Sequence, residues 1–280
     1  MRNVKRECSQ CHEVKEFRLD QKTCGCPRPK KVVEPVSDAR IGFLDIETMP
    51  SLGYTWGKWE QNILDFYQDG YLASYGFKIA GHRGVKMRAL PDYPNWSTNQ
   101  MDDSALASEL WEDINSVDII VAQNGDAFDL PTIRSRWIVL GLPPVRPVQT
   151  VDTLKIARSV FRFKSNKLDD MCRELNIGRK LKHTGTNLWL DCMAGDMTAW
   201  HTMVRYNRHD VLLLEELYYR FLPWMNQHPN VSHDGTSGRC RRCGSKNVRF
   251  DGHKYTDFRK KDRIHCLTCG AWFEGSAHKV

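Results

Sequence analysis

The sequence predicts an α/β main domain, a mixed β-sheet flanked by helices, with a small metal-binding module at each end. Two observations predict the main domain: short apolar runs typical of strands, and segments between them with apolar residues at helical spacing. A third predicts the modules, because eight of the ten cysteines form two groups of four near the ends. A chain of 280 residues that is 41% hydrophobic can hold one core of about 150 to 200 residues with smaller appendages.

Three strands are predicted first. Residues 41–46 are an apolar run interrupted by one acid, as in a buried strand that carries a functional carboxylate. Residues 72–80 and 85–90 read as the next two strands, and the glycines between them predict a hairpin.

Helical spacing begins at residue 102. Leu106, Leu110, Trp111 and Ile114 can share one helix face, with Asp102 or Asp103 as the cap. Further on, strands are predicted at 118–122 and 148–151, and helices at 130–140, 152–160, 168–175 and 199–222. Asp152 can act as a second acid near the site or as the cap of the helix that it precedes. This order implies a mixed sheet with helices on its faces.

The domain bounds follow from two linkers. Prolines between residues 26 and 37, and the polar segment after Pro223, separate a module at 1–38, a main domain at 39–226 and a linker with a second module at 227–280. Lys and Arg exceed Asp and Glu in both end segments, whereas the acids are in excess in the middle. This distribution fits ends that hold a polyanion and a centre that holds cations; basic modules that serve only solubility are the alternative. With no apolar run of about 18 residues and no signal segment, a soluble cytoplasmic protein without a membrane partner is expected.

The cysteine groups predict two structural Zn²⁺ ions, with disulfides in an exported protein as the alternative. The second group, Cys240, Cys243, Cys266 and Cys269, has the spacing of a zinc ribbon. Its basic and aromatic residues, Arg241 and Arg242 among them, favour contact with nucleic acid over a purely structural role. The first group is Cys8, Cys11, Cys24 and Cys26, in which His12 could replace one thiolate. Cys172 and Cys192 are predicted to be packed thiols.

Acids recur at three places in the main domain. Asp45 and Glu47 are two apart on a strand and point to the same side, so they can share cations, unless they lie at a solvated strand end. Asp129 follows a strand and a tight turn, where it could enter a cleft or act as a helix N-cap, and Phe128 could anchor the turn in the core. Tyr206 and Asp210 lie one helical turn apart, either at a site or on a solvated surface.

In this order the three elements resemble the DnaQ-like (DEDD) exonucleases of RNase H-like fold, in the branch whose third motif reads Tyr-x-x-x-Asp. More narrowly, the chain is similar to YprB-type exonucleases of bacteria and phages. The resemblance spans about residues 40–230 and is carried by LDIET, QNGDAFDLP, VDTLKIAR, KLDDMCRELNIGRK, KHTG and YNRHDVLLLEELY. One departure is Gln123, where the family has His.

The resemblance implies a two-metal 3′–5′ exonuclease that releases nucleoside 5′-monophosphates, with DNA favoured over RNA. Asp45, Glu47 and Asp210 would hold one Mg²⁺ or Mn²⁺, Asp45 would also bridge to a second, and Asp129 would complete the shell. Tyr206 would orient the attacking water. The predicted substrate contacts are Asn124, Phe128, Lys167, Lys182 and His183, the last three in a basic patch with Lys164, Arg179 and Lys180 that could instead be a solvated face. A structure-specific endonuclease on this fold, or a non-catalytic nucleic-acid-binding protein, are the alternatives.

Overall fold

The computed structural model describes residues 3–7, 14–18, 39–59, 62–232 and 238–279, with the backbone alone at 3–7, 14–18 and 276–279. The first two strands, β1 (Asn3–Glu7) and β2 (Val14–Arg18), pair antiparallel. Cys8, Cys11, Cys24 and Cys26 lie outside the described residues, so the N-terminal zinc site stays a prediction.

The main domain contains seven strands and six helices within the described residues. The strands are β3 (Ile41–Thr48), β4 (Leu52–Tyr54), β5 (Asp65–Gln68), β6 (Leu72–Ile79), β7 (Lys86–Ala89), β8 (Ile119–Ala122) and β9 (Gln149–Asp152). The helices are α1 (Ser104–Asn115), α2 (Asp129–Val139), α3 (Thr153–Val160), α4 (Leu168–Glu174), α5 (Asn187–Met193) and α6 (Met197–Phe221). Short 3-10 turns lie at Leu90–Asp92, Pro94–Ser97 and Leu222–Trp224.

Five strands form the central sheet in the order β7-β6-β3-β8-β9. The pairs β3–β6 and β6–β7 are antiparallel, whereas β3–β8 and β8–β9 are parallel. β4 and β5 form a separate antiparallel hairpin that leaves the end of β3. The predicted mixed sheet flanked by helices is therefore confirmed.

Alternate side chains of β3 enter two different cores. Ile41 and Phe43 pack in a cluster with α6, whereas Leu44 and Ile46 pack in a second cluster with α1 and α2. Because strand side chains alternate, Asp45 and Glu47 continue the row of Ile41 and Phe43 and face α6. The hydrophobic pattern of one strand thus places the two acids beside the longest helix.

Helices α1 and α3 differ in whether the acid at the N-cap position caps the helix with its side chain. Asp152 is the N-cap of α3, one of the two roles predicted for it, and its carboxylate accepts from the backbone N–H groups of Leu154 and Lys155. At α1, Asp102 accepts from the N–H of Ser104, but Asp103 turns away from the helix and accepts from Leu72 N and the guanidinium of Arg136. The sequence pattern did not predict the hairpin of β4 and β5 or helix α5, since both are short and lack a clear apolar period.

The C-terminal module is an antiparallel sheet of β10 (Val248–Tyr255), β11 (Arg259–Cys266) and β12 (Trp272–Lys279). Buried Cys240, Cys243 and Cys266 belong to the same hydrophobic cluster as α6. Arg242 donates to the carbonyl oxygen of Pro223 just after α6, and Val231 N donates to the carbonyl oxygen of Arg241. The module is therefore seated on the end of the main domain. Among the described residues, no helix combines the length and apolarity needed to cross a bilayer.

Candidate active site

Three of the four predicted acids converge. Asp45 and Glu47 from β3 and Asp210 from α6 each offer a carboxylate oxygen, and these three oxygens lie within 4.8 Å of one another. Asp210 is 1% exposed, whereas the two strand acids are partly exposed. Residues 163 positions apart in the chain are thus brought to one point by the packing of α6 against β3.

A glycine and an amide allow this close approach. Gly76 lies opposite Asp45 on β6, and a Cβ there would lie 2.7 Å from Cγ2 of Val211 on α6. The fully buried Asn207 donates from Nδ2 to Oδ2 of Asp45 at 2.6 Å and to its backbone oxygen at 3.2 Å. Asn207 therefore orients the Asp45 carboxylate, a role that the sequence pattern around Tyr206 did not reveal.

Asp129 lies beside this group without joining it. It begins α2, and its Oδ1 accepts from the backbone N–H of Ile46 at 3.2 Å, between the two strand acids. The turn before it needs Asn124 at a φ of 64° and Gly125, because a Cβ on Gly125 would lie 2.3 Å from Cβ of Ala122. The N-cap alternative is not observed, since the cap position of α2 is Phe128.

Burial raises the pKa values of all four acids, and repulsion within the group adds to this effect at Asp45 and Glu47. Burial, then the charges of Asp210, Glu47 and Asp129, hold the pKa of Asp45 well above its usual range. Burial and the Asp210 charge raise the pKa of Glu47 to about 8, and burial raises that of Asp129 to about 7. Burial also raises the pKa of Asp210, against the nearby ammonium group of Lys180. Such a cluster is stable as anions only with added positive charge.

Lys180 supplies one such charge. Its Nζ donates to Oδ2 of Asp210 at 2.6 Å and to the hydroxyl of Tyr206 at 2.9 Å. Its backbone N–H donates to Oδ1 of Asp169 at 2.7 Å, which fixes the segment before α5 against α4. The sequence indicated Lys180 only as one member of a basic patch. Its place between the acid and the phenol depends on a loop path that no periodicity predicts.

The oxygen ligands fit hard divalent cations. Oδ1 of Asp210 is buried and has no hydrogen-bond partner among the described residues. A buried carboxylate oxygen without a donor is costly, and a cation would satisfy it. Ligands that are all oxygen suit Mg²⁺ or Mn²⁺. Of the four acids, Asp45 lines a cleft of about 560 Å³ whose walls also include Asn124, Lys167 and Lys180.

The predicted substrate residues differ in position. Asn124 and Lys167 line the cleft, and Lys182 is exposed. His183 packs edge-on against Tyr206, with ring centroids 4.7 Å apart. Phe128 is 45% exposed, so the expectation that it anchors the turn in the core is wrong. Gln123 donates to the carbonyl oxygen of Asn166 and accepts from the Thr153 hydroxyl, which ties the site turn to α3.

The four cysteines of the C-terminal module form a second, closed group. Their sulfur atoms lie within 4.8 Å of one another, with Cys240–Cys269 at 3.7 Å and Cys243–Cys266 at 3.6 Å. A tetrahedral ion with Zn–S bonds of about 2.3 Å would separate its sulfur ligands by about 3.8 Å. The observed spacing therefore fits Zn²⁺, and four thiolate ligands would leave no open coordination position of the kind that catalytic zinc keeps.

Comparison with known proteins identifies the family. The profile of the RNase H superfamily matches residues 80–222, which include Asp129, Tyr206 and Asp210. The chain belongs to this superfamily, which supports a nuclease role with a nucleic-acid substrate. Strand β3 lies before the matched range. The assignment of Asp45 and Glu47 to the site therefore depends on their distance from Asp210 and not on the profile.

Two DNA polymerases are similar to this chain over part of their own length. A PolC-type DNA polymerase III of Ureaplasma parvum serovar 3 is 37% identical over 59 residues, 21% of this chain and 4% of the polymerase. The family B DNA polymerase of Pyrobaculum calidifontis is similar in fold, with a TM-score of 0.51 and 18% identity over 91% of this chain and 36% of the polymerase. The chain thus spans a small part of either polymerase.

Proposed function

We propose that this protein is a metal-dependent 3′–5′ exonuclease that hydrolyses nucleic-acid phosphodiesters, DNA in preference to RNA, to nucleoside 5′-monophosphates. The observation that carries the proposal is the group of Asp45, Glu47 and Asp210, in which a buried oxygen of Asp210 has no partner among the described residues. Such a group is costly to stability and useful only with cations.

Each acid has a role in this proposal. Asp45, Glu47 and Asp210 would hold one Mg²⁺ or Mn²⁺, and Asp45 with Asp129, whose Oδ1 accepts from Ile46 N, would hold a second. Two such cations supply activation of water on one side of the phosphodiester and stabilisation of the leaving 3′ oxygen on the other. Asn207 holds the Asp45 carboxylate in a single orientation through its 2.6 Å hydrogen bond.

Tyr206 and Lys180 act together on the attacking water. Burial and the Asp210 charge raise the pKa of Tyr206 to about 12, so at neutral pH the phenol is an orienting group and not a base. Lys180 donates to the phenol oxygen at 2.9 Å. One lone pair of the phenol oxygen is left to accept from a water molecule. Lys180, with Lys167 and Asn124 on the wall of the cleft, is placed to meet the phosphate.

The modules complete the proposal. We assign a structural Zn²⁺ to Cys240, Cys243, Cys266 and Cys269 on their spacing, and a second to Cys8, Cys11, Cys24 and Cys26 on sequence alone. The units are 1–38, 39–226 and 227–280. Arg242 donates to Pro223, so its contact with nucleic acid would need the guanidinium to serve two partners, whereas Arg241 is exposed.

The test is digestion of 5′-labelled single-stranded and duplex DNA and RNA with and without Mg²⁺. A ladder that shortens from the 3′ end with release of 5′-monophosphates supports the proposal. Internal fragments would indicate an endonuclease, and intact substrate with Mg²⁺ and with Mn²⁺ would indicate a non-catalytic binding protein.

Asp45→Ala should lower the rate by a factor on the order of 10³, as loss of a group that stabilises developing charge does. Asp170→Ala is the matched control, because Asp170 forms a surface pair with Arg173. Undiminished hydrolysis by the Asp45 variant would remove that acid from the mechanism.

A further inference from the structure

The two faces of the C-terminal sheet differ in what they contact. Strand register places Arg249 beside His265 and His265 beside Trp272, and on the same face Lys254 beside Lys261. We call this row, with Arg263, the outer face. On the opposite face, Phe250, Ile264 and Phe273 are aligned, and Val248 and Phe273 pack against the cluster that contains α6. One face of the sheet thus packs against the main domain, and the outer face is directed away from that contact.

The outer face contains an exposed indole in a fixed orientation. The rings of His265 and Trp272 are parallel within 6° at a centroid distance of 4.3 Å, and the Arg263 guanidinium carbon lies 5.7 Å from the Trp272 ring. β12 is an edge strand of this sheet, so His265 and Arg263 both reach the indole from the β11 side. Trp272 is nonetheless 44% exposed, so part of the indole is open to a further partner.

Positive charge surrounds this ring. The outer face carries Arg249, Lys254, Lys261 and Arg263, and two acids lie among them. Asp251 contacts Arg249 at 3.3 Å, and Glu274 lies between the two lysines at 2.5 and 2.6 Å. Arg263 donates from Nε to the backbone oxygen of Asp251, so its guanidinium is positioned without being neutralised by that bond. The balance of these charges is positive, and Arg249, Lys254 and Arg263 are exposed.

We propose that the outer face binds a single nucleic-acid strand, with Arg249 and Arg263 on phosphates and an unpaired base stacked on Trp272. Flat aromatic faces accept any base, and clustered Arg and Lys follow the backbone. An acidic protein segment would use the charges but not the stack. The choice of nucleic acid as the ligand rests on the proposed nuclease function. The existence of the basic and aromatic surface does not depend on it.

The experiment measures binding without hydrolysis. The full zinc-loaded chain with Asp45→Asn is titrated against fluorescein-labelled single-stranded oligothymidine by anisotropy over a range of salt, with no added Mg²⁺. Arg249→Glu, Arg263→Glu and Trp272→Leu are compared with Lys260→Glu. Lys260 is the matched control, because it lies on the opposite face beside Tyr255 and its substitution changes the net charge equally. The zinc content of each variant is compared with that of the parent protein. A loss of zinc identifies a variant in which the C-terminal module is misfolded.

Either arginine variant should bind at least tenfold more weakly, and its slope of log affinity against log salt should decrease by about 1. Trp272→Leu should weaken binding on the order of tenfold with an unchanged slope. Equal losses in Arg249→Glu and Lys260→Glu, or none in all variants, would overturn the proposal. Loss with the arginines but not with Trp272 would indicate a site for acidic partners in general. If the wild-type protein hydrolyses nothing yet these differences hold, the nuclease proposal fails and this one stands.

Discussion

Asp103 and Asp210 are equally buried, each 1% exposed, but their carboxylates have opposite surroundings. The oxygens of Asp103 accept from Leu72 N at 2.9 Å and from Arg136 at 2.8 and 2.6 Å. Asp210 has Lys180 on one oxygen, nothing on the other among the described residues, and two further acids within 4.8 Å. Both oxygens of Asp103 thus have hydrogen-bond donors, whereas one oxygen of Asp210 has none among the described residues.

The difference distinguishes a structural acid from a functional one. A paired buried carboxylate joins elements: Asp103 ties α1 to β6 and α2. A cluster of unpaired carboxylates destabilises the chain by itself and becomes favourable only with cations. Substitution of Asp103 should therefore affect stability, whereas substitution of the clustered acids should affect metal binding.

The largest expected effect is on the structural acid. Asp103→Ala leaves the Arg136 guanidinium and Leu72 N–H without their partner, so the free energy of unfolding should fall by about 3 to 5 kcal/mol. Urea denaturation measures it. Asp170→Ala, at a surface pair, should change it by less than about 1 kcal/mol. Equal effects in the two variants would mean that burial of Asp103 has no energetic weight.

The functional acids should respond to metal instead. Mg²⁺ or Mn²⁺ at 100 times its dissociation constant should stabilise the zinc-loaded protein by about 2.7 kcal/mol, measured as a rise in Tm. Asp45→Asn should remove this rise without lowering the Tm of the metal-free protein, since it removes one of three repelling acids. A metal-dependent shift that survives in the variant would contradict the proposed ligand set.

Lys180 connects the two halves of the site. Lys180→Met removes the donor to Tyr206 and a positive charge on the cleft wall, so kcat should fall about 10- to 100-fold. Lys182→Met, at an exposed neighbour, is the control for charge. If both variants have the wild-type kcat, the contacts of Lys180 are unimportant for the reaction.

The smallest effect belongs to a partly exposed acid. Burial would raise the pKa of Glu109, but hydrogen bonds from Lys86, Tyr93 and Arg88 outweigh it and lower the pKa to about 2. A group whose pKa is lower in the folded protein stabilises it above the unfolded pKa, so this contribution should decline between pH 4.5 and 2. Urea titrations at several pH values should show a shallower decline for Glu109→Gln. An unchanged slope would show that these ion pairs are screened by solvent.

The hairpin of β4 and β5 and the segment that joins its strands carry exposed aromatic side chains. Trp56 and Trp59 are 83% and 88% exposed, and the Lys58 ammonium lies 5.3 Å from the Trp59 ring centre. Their exposure excludes both indoles from the hydrophobic core.

The sequence by itself determined the order of the five central strands and of the helices other than α5, the side of β3 that carries Asp45 and Glu47, and the candidate acids. These features follow from local periodicity and from residue types that are costly to bury, which can be read from neighbouring residues. The spacing of the C-terminal cysteines likewise determined their grouping, because metal ligands must approach within a few ångströms.

Only the tertiary structure decided which charges meet. The contact of Lys180 with Asp210, the alignment of Asn207 with Asp45 and the choice of Arg136 as the partner of Asp103 join residues 30 to 162 positions apart. The use of Arg242 to seat the C-terminal module, and hence the exposure of Trp272 on the other face, belong to the same class. Such pairings depend on loop paths and on how elements pack, and local sequence patterns carry no information about either.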